Sequence, residues 1–212
     1  MTAQRLGAAD TQGVPASGHS LTAVSLKDDL VSIGPVLPND LGAIFTWMND
    51  PTAAALDFAW RPVDTNAFKS WMDRLAVDTT QVLFAIRRLP HPAIVGFVLL
   101  KNIQPVHRSA ELGIRIGAET DRGQGLGQRA TILALDYAWR TLNLHRVSLT
   151  TLAHNARAIA SYRQAGFEEE GRLRQASFID GKWCDLTIMA ALRNDWPAQQ
   201  RRLRQACAAA GA

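Results

Sequence analysis

Three groups of residues have the types and spacing to do chemistry. The first is Arg122-Gly123-Gln124-Gly125-Leu126-Gly127-Gln128, which joins an alternating apolar stretch to a helical pattern. Glycines let the backbone approach a ligand closely, and the first turn of a helix offers unpaired amides beside the positive end of its dipole. Together they make a cradle for phosphate, to which Arg122 adds a charged donor. A plain strand-to-helix turn would carry the same glycines. The second group is Asn155 and Tyr162, seven residues apart on a helical pattern and so near one face. Asn155 suits an N-cap, and Tyr162 offers a phenolic hydroxyl that can donate a proton or simply sit satisfied in a core. The third is Glu111, whose carboxylate alternates away from its apolar neighbours Ala110 and Leu112. It is a candidate base, or a surface carboxylate paired with an arginine such as Arg115. Gly125 to Ala130 also fits the Gly-x-Gly-x-x-Ala form of the dinucleotide fingerprint. The acidic residue expected about 20 positions on is missing, however, where His145 and Arg146 begin a strand.

These residues need elements to position them. Leu30–Val36 is predicted as a strand. A helix with Asn39 as its cap follows, carrying Leu41, Ile44, Phe45 and Met48 and stopped by Pro51. A second helical stripe holds Phe68, Trp71, Met72 and Leu75, with Asp64 or Thr65 as its cap. The period then changes to two. Val82–Arg87 and Ile94–Leu100 form a hairpin about Leu89-Pro90-His91-Pro92, and Ala110–Ile116 is a third run before the glycine loop and its helix to Arg140. Arg146–Thr151 is a strand, and Asn155–Ala165 a short helix ended by Gly166. Phe167–Phe178 and Lys182–Leu192 close the pattern as a hairpin about Asp180-Gly181.

Composition narrows the classes. The 212 residues are 47% hydrophobic and 20% charged, as in an ordinary globular chain, which excludes collagen, disordered and coiled-coil classes. The longest apolar or glycine run, Ala93–Leu100, is too short to cross a bilayer, and no secretory leader is evident, so the expected compartment is the cytoplasm. Two cysteines, Cys184 and Cys207, without ligand spacing argue against a disulfide scaffold and against a metal site. The net charge of +4 is a small basic excess; Arg201, Arg202 and Arg204 alone are a thin basis for nucleic-acid binding, and none is expected.

In combination, the motifs resemble those of the GCN5-related N-acetyltransferase (GNAT) superfamily. Arg122 to Gly127 matches its acyl-CoA pyrophosphate signature, and Asn155 to Phe167 its Asn-x-x-Ala-x-x-x-Tyr-x-x-x-Gly-Phe signature. Glu169-Glu170-Gly171-Arg172-Leu173-Arg174, Asp180-Gly181-Lys182-Trp183-Cys184-Asp185 and Trp47-Met48-Asn49-Asp50-Pro51 resemble features of the RimJ/RimL-like branch. The resemblance implies an α/β fold with a central mixed, mostly antiparallel, splayed sheet of about seven strands and helices on both faces. It places the domain at 28–196, between a flexible tail at 1–27 and a C-terminal helix or tail at 197–212. It implies acetyl-CoA as the cofactor and direct transfer to a primary amine in a ternary complex. Ile114, Arg115 and Ile116 would hold the pantetheine arm through the backbone. Arg122, Gly123, Gln124, Gly125, Leu126, Gly127 and Gln128 would hold the pyrophosphate, with Asn155, Ala158 and Arg163 along the same cofactor. Tyr162 would protonate the departing thiolate and Glu111 would serve as base. The acceptor would meet Phe58, Trp60, Arg61 and Asp185. A protein N-terminal amine is one candidate acceptor and a small-molecule amine the alternative; a CoA-binding module without turnover is the reading from another class. No membrane partner is expected, and a homodimer is left open.

Overall fold

The computed structural model describes residues 26–54 and 61–196. In chain order its elements are β1 (Leu26–Lys27), β2 (Val31–Gly34), α1 (Leu41–Met48), α2 (Pro51–Ala54), α3 (Thr65–Leu75), β3 (Val82–Arg88), β4 (Ala93–Gln104), β5 (Ser109–Ile116), α4 (Leu126–Arg140), β6 (Arg146–Leu152), α5 (Ala156–Gln164), β7 (Glu168–Ile179) and β8 (Lys182–Leu192). The strands form one sheet in the order β1-β2-β3-β4-β5-β6-β8-β7, one strand more than the sequence suggested because of the two-residue β1. Neighbours pair antiparallel except β5 and β6, which are parallel and joined through α4. A parallel pair needs such a crossover.

The parallel pair is brief. Ser109, Ala110 and Glu111 face Arg146, Val147 and Ser148, and the register ends there. Beyond it β5 continues against β4 as far as Ile116, and β6 continues against β8 as far as Leu152. The sheet therefore splays at its middle, as expected.

The main core lies on one face. Small residues of α4, Ala130, Ala134 and Ala138, let that helix close on Val98, Leu100, Ala110, Leu112 and Val147. Ile114 and Ile116 point to the same side, where their side chains approach Gly127 of α4. Arg115, between them, must point to the opposite face; there its Nη1 donates to the Trp47 carbonyl of α1 at 2.7 Å. Helices thus cover both faces. On the α1 side Phe45 meets Phe68 of α3 edge to face, 5.3 Å between centroids. Among the described residues no helix is long and apolar enough to cross a membrane.

Local signals explain several boundaries. Asp64 caps α3 by accepting from the amides of Asn66 and Ala67, and Asn155 caps α5 by accepting from Ala158 N at 3.1 Å. Asp180 and Gly181 both take positive φ in the β7–β8 turn. Two expectations are corrected. Asn39 does not cap α1: it lies inside a 3-10 turn, Pro38–Asp40. Asp40, which follows it, accepts from Leu37 N at 2.7 Å and pairs with Arg87 of β3. Pro51 ends α1 only by opening α2 as its first residue, a position where its missing N–H is harmless.

The Asp40–Arg87 pair is nearly buried, with side chains 9% and 10% exposed. Removing one partner of such a pair strands the other charge. Asp40→Asn is therefore expected to lower stability by about 3–5 kcal/mol, as measured by urea unfolding; a loss below about 1 kcal/mol would show that Arg87 finds another partner.

Candidate active site

Where β5 and β6 part, a cleft of about 390 Å³ opens. Ile114, Arg115 and Ile116 of β5 form one wall. The loop and first turns of α4 form its end, through Asp121, Arg122, Gly123, Gly125, Gly127, Gln128 and Thr131. Asn155 and α5 form the other wall, with Arg157, Ala158, Ala160, Ser161, Tyr162 and Gln164. The two strongest sequence motifs thus meet across one space, although about thirty residues separate them in the chain.

The cradle is preformed. Gly123 and Gly125 adopt φ of +79° and +77°, which L side chains rarely take, so both turns require glycine. Arg129 N donates back to the Gly125 carbonyl at 3.1 Å as the first helical bond. The amides of Leu126, Gly127 and Gln128 therefore have no acceptor within the helix and stand at its positive end. The Leu126 side chain itself is buried in the core; only its backbone is available to a ligand.

Side chains around the loop hold it in shape. Arg122 donates from Nε to Ile116 O at 3.3 Å and from Nη2 to Gly117 O at 2.7 Å. It braces the strand-to-loop corner while lining the cleft, and its Nη1 takes part in neither bond. Gln124 faces outward: it donates to the Thr120 carbonyl and accepts from Arg88 Nη2 at 2.8 Å. Arg88 also binds Asp121 at 2.8 Å. The Gln124 side chain thus braces the loop and does not line the cleft.

Tyr162 is half-buried, lines the cleft and stacks edge to face on Phe167, 5.9 Å between centroids. Glu111 occupies the last position of β5 that pairs with β6, on the α1 face, outside the cleft lining. Its carboxylate accepts from Asn102 Nδ2 at 3.0 Å and pairs with Lys101 at 3.4 Å, with 47% of the side chain exposed. Its ion-pair partner is therefore Lys101 of the neighbouring strand and not Arg115.

Two further residues sit elsewhere than expected. Arg163 pairs with Glu169 at 2.8 Å, is 59% exposed and does not line the cleft. Its guanidinium reaches Glu169 at the start of β7 instead of the cleft. Arg157 takes the place by the cofactor site instead, since it shares a side with Ser161 and Gln164. Asp185 accepts from Gln175 N at 2.8 Å and from Arg172 Nε at 2.9 Å, pinning a bulge in β7. The Gln175 amide bond, helped by the Arg172 charge, holds its carboxyl below the ordinary value of 3.8. Asp185 is thus engaged within the hairpin. Arg61 is exposed ahead of α3. Phe58 and Trp60 lie outside the described residues, as do the C-terminal arginines.

These features fit an acyl-CoA. Glycine-loop amides and Arg157 suit its phosphates, and the unpaired edge of β5 suits the amides of its pantetheine arm. Arg157→Ala is expected to weaken acetyl-CoA binding about fivefold, roughly 1 kcal/mol for an exposed charge contact. Calorimetry on Arg163→Ala should show affinity unchanged; the reverse ranking would reassign the phosphate contact.

Comparison with known proteins identifies the family. The acetyltransferase (GNAT) domain pattern matches residues 31–168. The spermidine N(1)-acetyltransferase of Escherichia coli strain K12 is 29% identical over 185 residues, 87% of this chain and 92% of that protein. The spermidine N(1)-acetyltransferase of Vibrio cholerae is 37% identical over 103 residues, and this stretch spans 59% of its length and 49% of this chain. The [ribosomal protein uS5]-alanine N-acetyltransferase of Escherichia coli strain K12 is 28% identical over 147 residues, 65% of this chain and 75% of that protein. A crystal structure of spermidine N-acetyltransferase from Vibrio cholerae in complex with CoA and spermine superposes with a TM-score of 0.71 at 28% identity, covering 77% of this chain and 96% of that one. The chain belongs to the GNAT acetyltransferase family and is an acetyl-CoA-dependent N-acetyltransferase.

Proposed function

We propose that this enzyme acetylates a small polyamine-class primary amine, which attacks directly within a ternary complex. The observation that carries the reading is the opening between β5 and β6, with a phosphate cradle at one end and Tyr162 along its wall. The acceptor class is supported by the spermidine acetyltransferase of Escherichia coli, which aligns over nearly its whole length, against 75% for the uS5-alanine enzyme.

When bound, acetyl-CoA supplies a thioester carbonyl to the amine and releases a thiolate. The chain has three tasks. An ammonium must first lose a proton, and Glu111 is placed to receive it through a water, because its half-exposed carboxylate ends the paired part of β5 beside the gap. The amides of Ile114 to Ile116, on a strand edge that β6 leaves unpaired, are the candidate donors to the oxyanion. Tyr162 donates its hydroxyl proton to the leaving sulfur; of the two protons the ammonium gives up, one goes to Glu111 before attack and the other, released from the acylated nitrogen, restores the Tyr162 hydroxyl.

Tyr162→Phe should lower kcat by about 100-fold with acetyl-CoA affinity retained, and unchanged kcat would remove the general-acid assignment. Glu111→Gln should abolish the acidic limb of the kcat/KM pH profile; a preserved limb moves the base elsewhere. The acceptor is tested by mass spectrometry of products from labelled acetyl-CoA with spermidine, spermine and an alanine-leading peptide. Acetylated polyamine is expected, whereas acetylated peptide alone would replace the polyamine reading, and no turnover with any amine would favour a CoA-binding module.

A further inference from the structure

The glycines of this fold differ in why they are glycine. Gly123, Gly125 and Gly181 have positive φ. A Cβ on Gly96 would stand 2.1 Å from the Arg115 carbonyl oxygen, and one on Gly117 would stand 2.0 Å from the Trp47 ring. Gly113 has neither reason. It sits inside β5, paired regularly with Leu99 and away from the register shift that β4 and β5 show between Lys101 and Gln104. It is not among the positive-φ residues, and a Cβ there would meet nothing within 4 Å among the described residues. Glycine inside a strand costs about 0.5–1 kcal/mol relative to alanine and often marks close approach by a ligand.

The surroundings indicate which ligand. Side chains two apart on a strand share a face, so the bare position at Gly113 lies on the α1 face between Glu111 and Arg115. Both neighbours are fixed, Glu111 by Lys101 and Asn102 and Arg115 by the Trp47 carbonyl. Across β4 lies half-buried Leu99, and towards β6 the pairing has just ended at Ser148. The result is a notch between the Lys101-paired Glu111 carboxylate and the Arg115 guanidinium, with an apolar flank at Leu99, beside the gap between the strands. The cofactor cleft lies on the other side, where Ile114 and Ile116 face α4.

We infer that Gly113 determines acceptor specificity: the notch above it admits the carbon chain adjoining the reacting amine, while Glu111 faces the ammonium. This rests on the reading that transfer occurs at the β5–β6 opening, with the amine arriving from the α1 face. A side chain at 113 would fill the space the acceptor needs without straining the strand.

The test is steady-state kinetics of Gly113→Ala and Gly113→Val on spermidine, spermine and the peptide, beside acetyl-CoA calorimetry and thermal unfolding. With a methylene in a tight pocket worth about 10–200-fold, kcat/KM for the accepted amine should fall about tenfold in Gly113→Ala and about 100-fold in Gly113→Val, with acetyl-CoA affinity within about twofold. The unfolding midpoint should hold or rise, because both residues favour a strand more than glycine does. Gly113→Ala keeps the test informative if valine disturbs folding. A kcat/KM that stays near wild type in Gly113→Val, or acetyl-CoA affinity that falls in step with kcat/KM, would overturn the inference. If the peptide is the amine that turns over and Gly113→Val still loses it, the inference stands and the polyamine reading fails.

Discussion

The structure depends on a hydrogen-bonding constraint at one seam. β5 and β6 pair for three positions and then separate, each keeping its other neighbour. Leu112 to Ile116 and Leu149 to Leu152 therefore present backbone edges to a gap instead of to each other. A backbone group held away from water needs a partner, and a flexible arm carrying amides is a suitable one. The fold has made a binding site by withholding a strand pairing.

Other features keep that seam open and usable. The α4 crossover makes the parallel pair possible and brings its own positive end to the mouth of the gap. Alanines along α4 bring the helix close to the sheet. Arg122, Arg88 and Gln124 brace the loop from outside, leaving its amides turned inward. On the opposite face Arg115 ties the end of α1 to the same strand, and Asn49 holds Val63 through both its backbone N and O. The ends of the segment between α1 and α3 are thus fixed relative to β5. Along β5 the even-numbered residues face α4 and the cleft, and the odd-numbered residues face α1.

Local chemistry was legible in the sequence wherever a residue acts on its own neighbours. Asp64 and Asn155 bond amides two or three residues ahead, and Gly123, Gly125 and Asp180-Gly181 set turns by their own φ. What the sequence did not show was decided at long range. Asp40 engages Arg87, 47 residues away, so the α1 start moved off Asn39. Asp185 was claimed by a bulge on β7, and Gln124 by Arg88 on β3. Arg163 pairs with Glu169 at the start of the next strand, while Arg157 lines the cleft.

The central claim, that the β5–β6 opening holds the acyl-CoA, is tested most directly by amide hydrogen exchange with and without CoA. The account predicts new protection in segments covering Leu112–Ile116 and Leu126–Gln128, with the already paired strands β2 and β3 unchanged. CoA-dependent protection confined to other segments would contradict it.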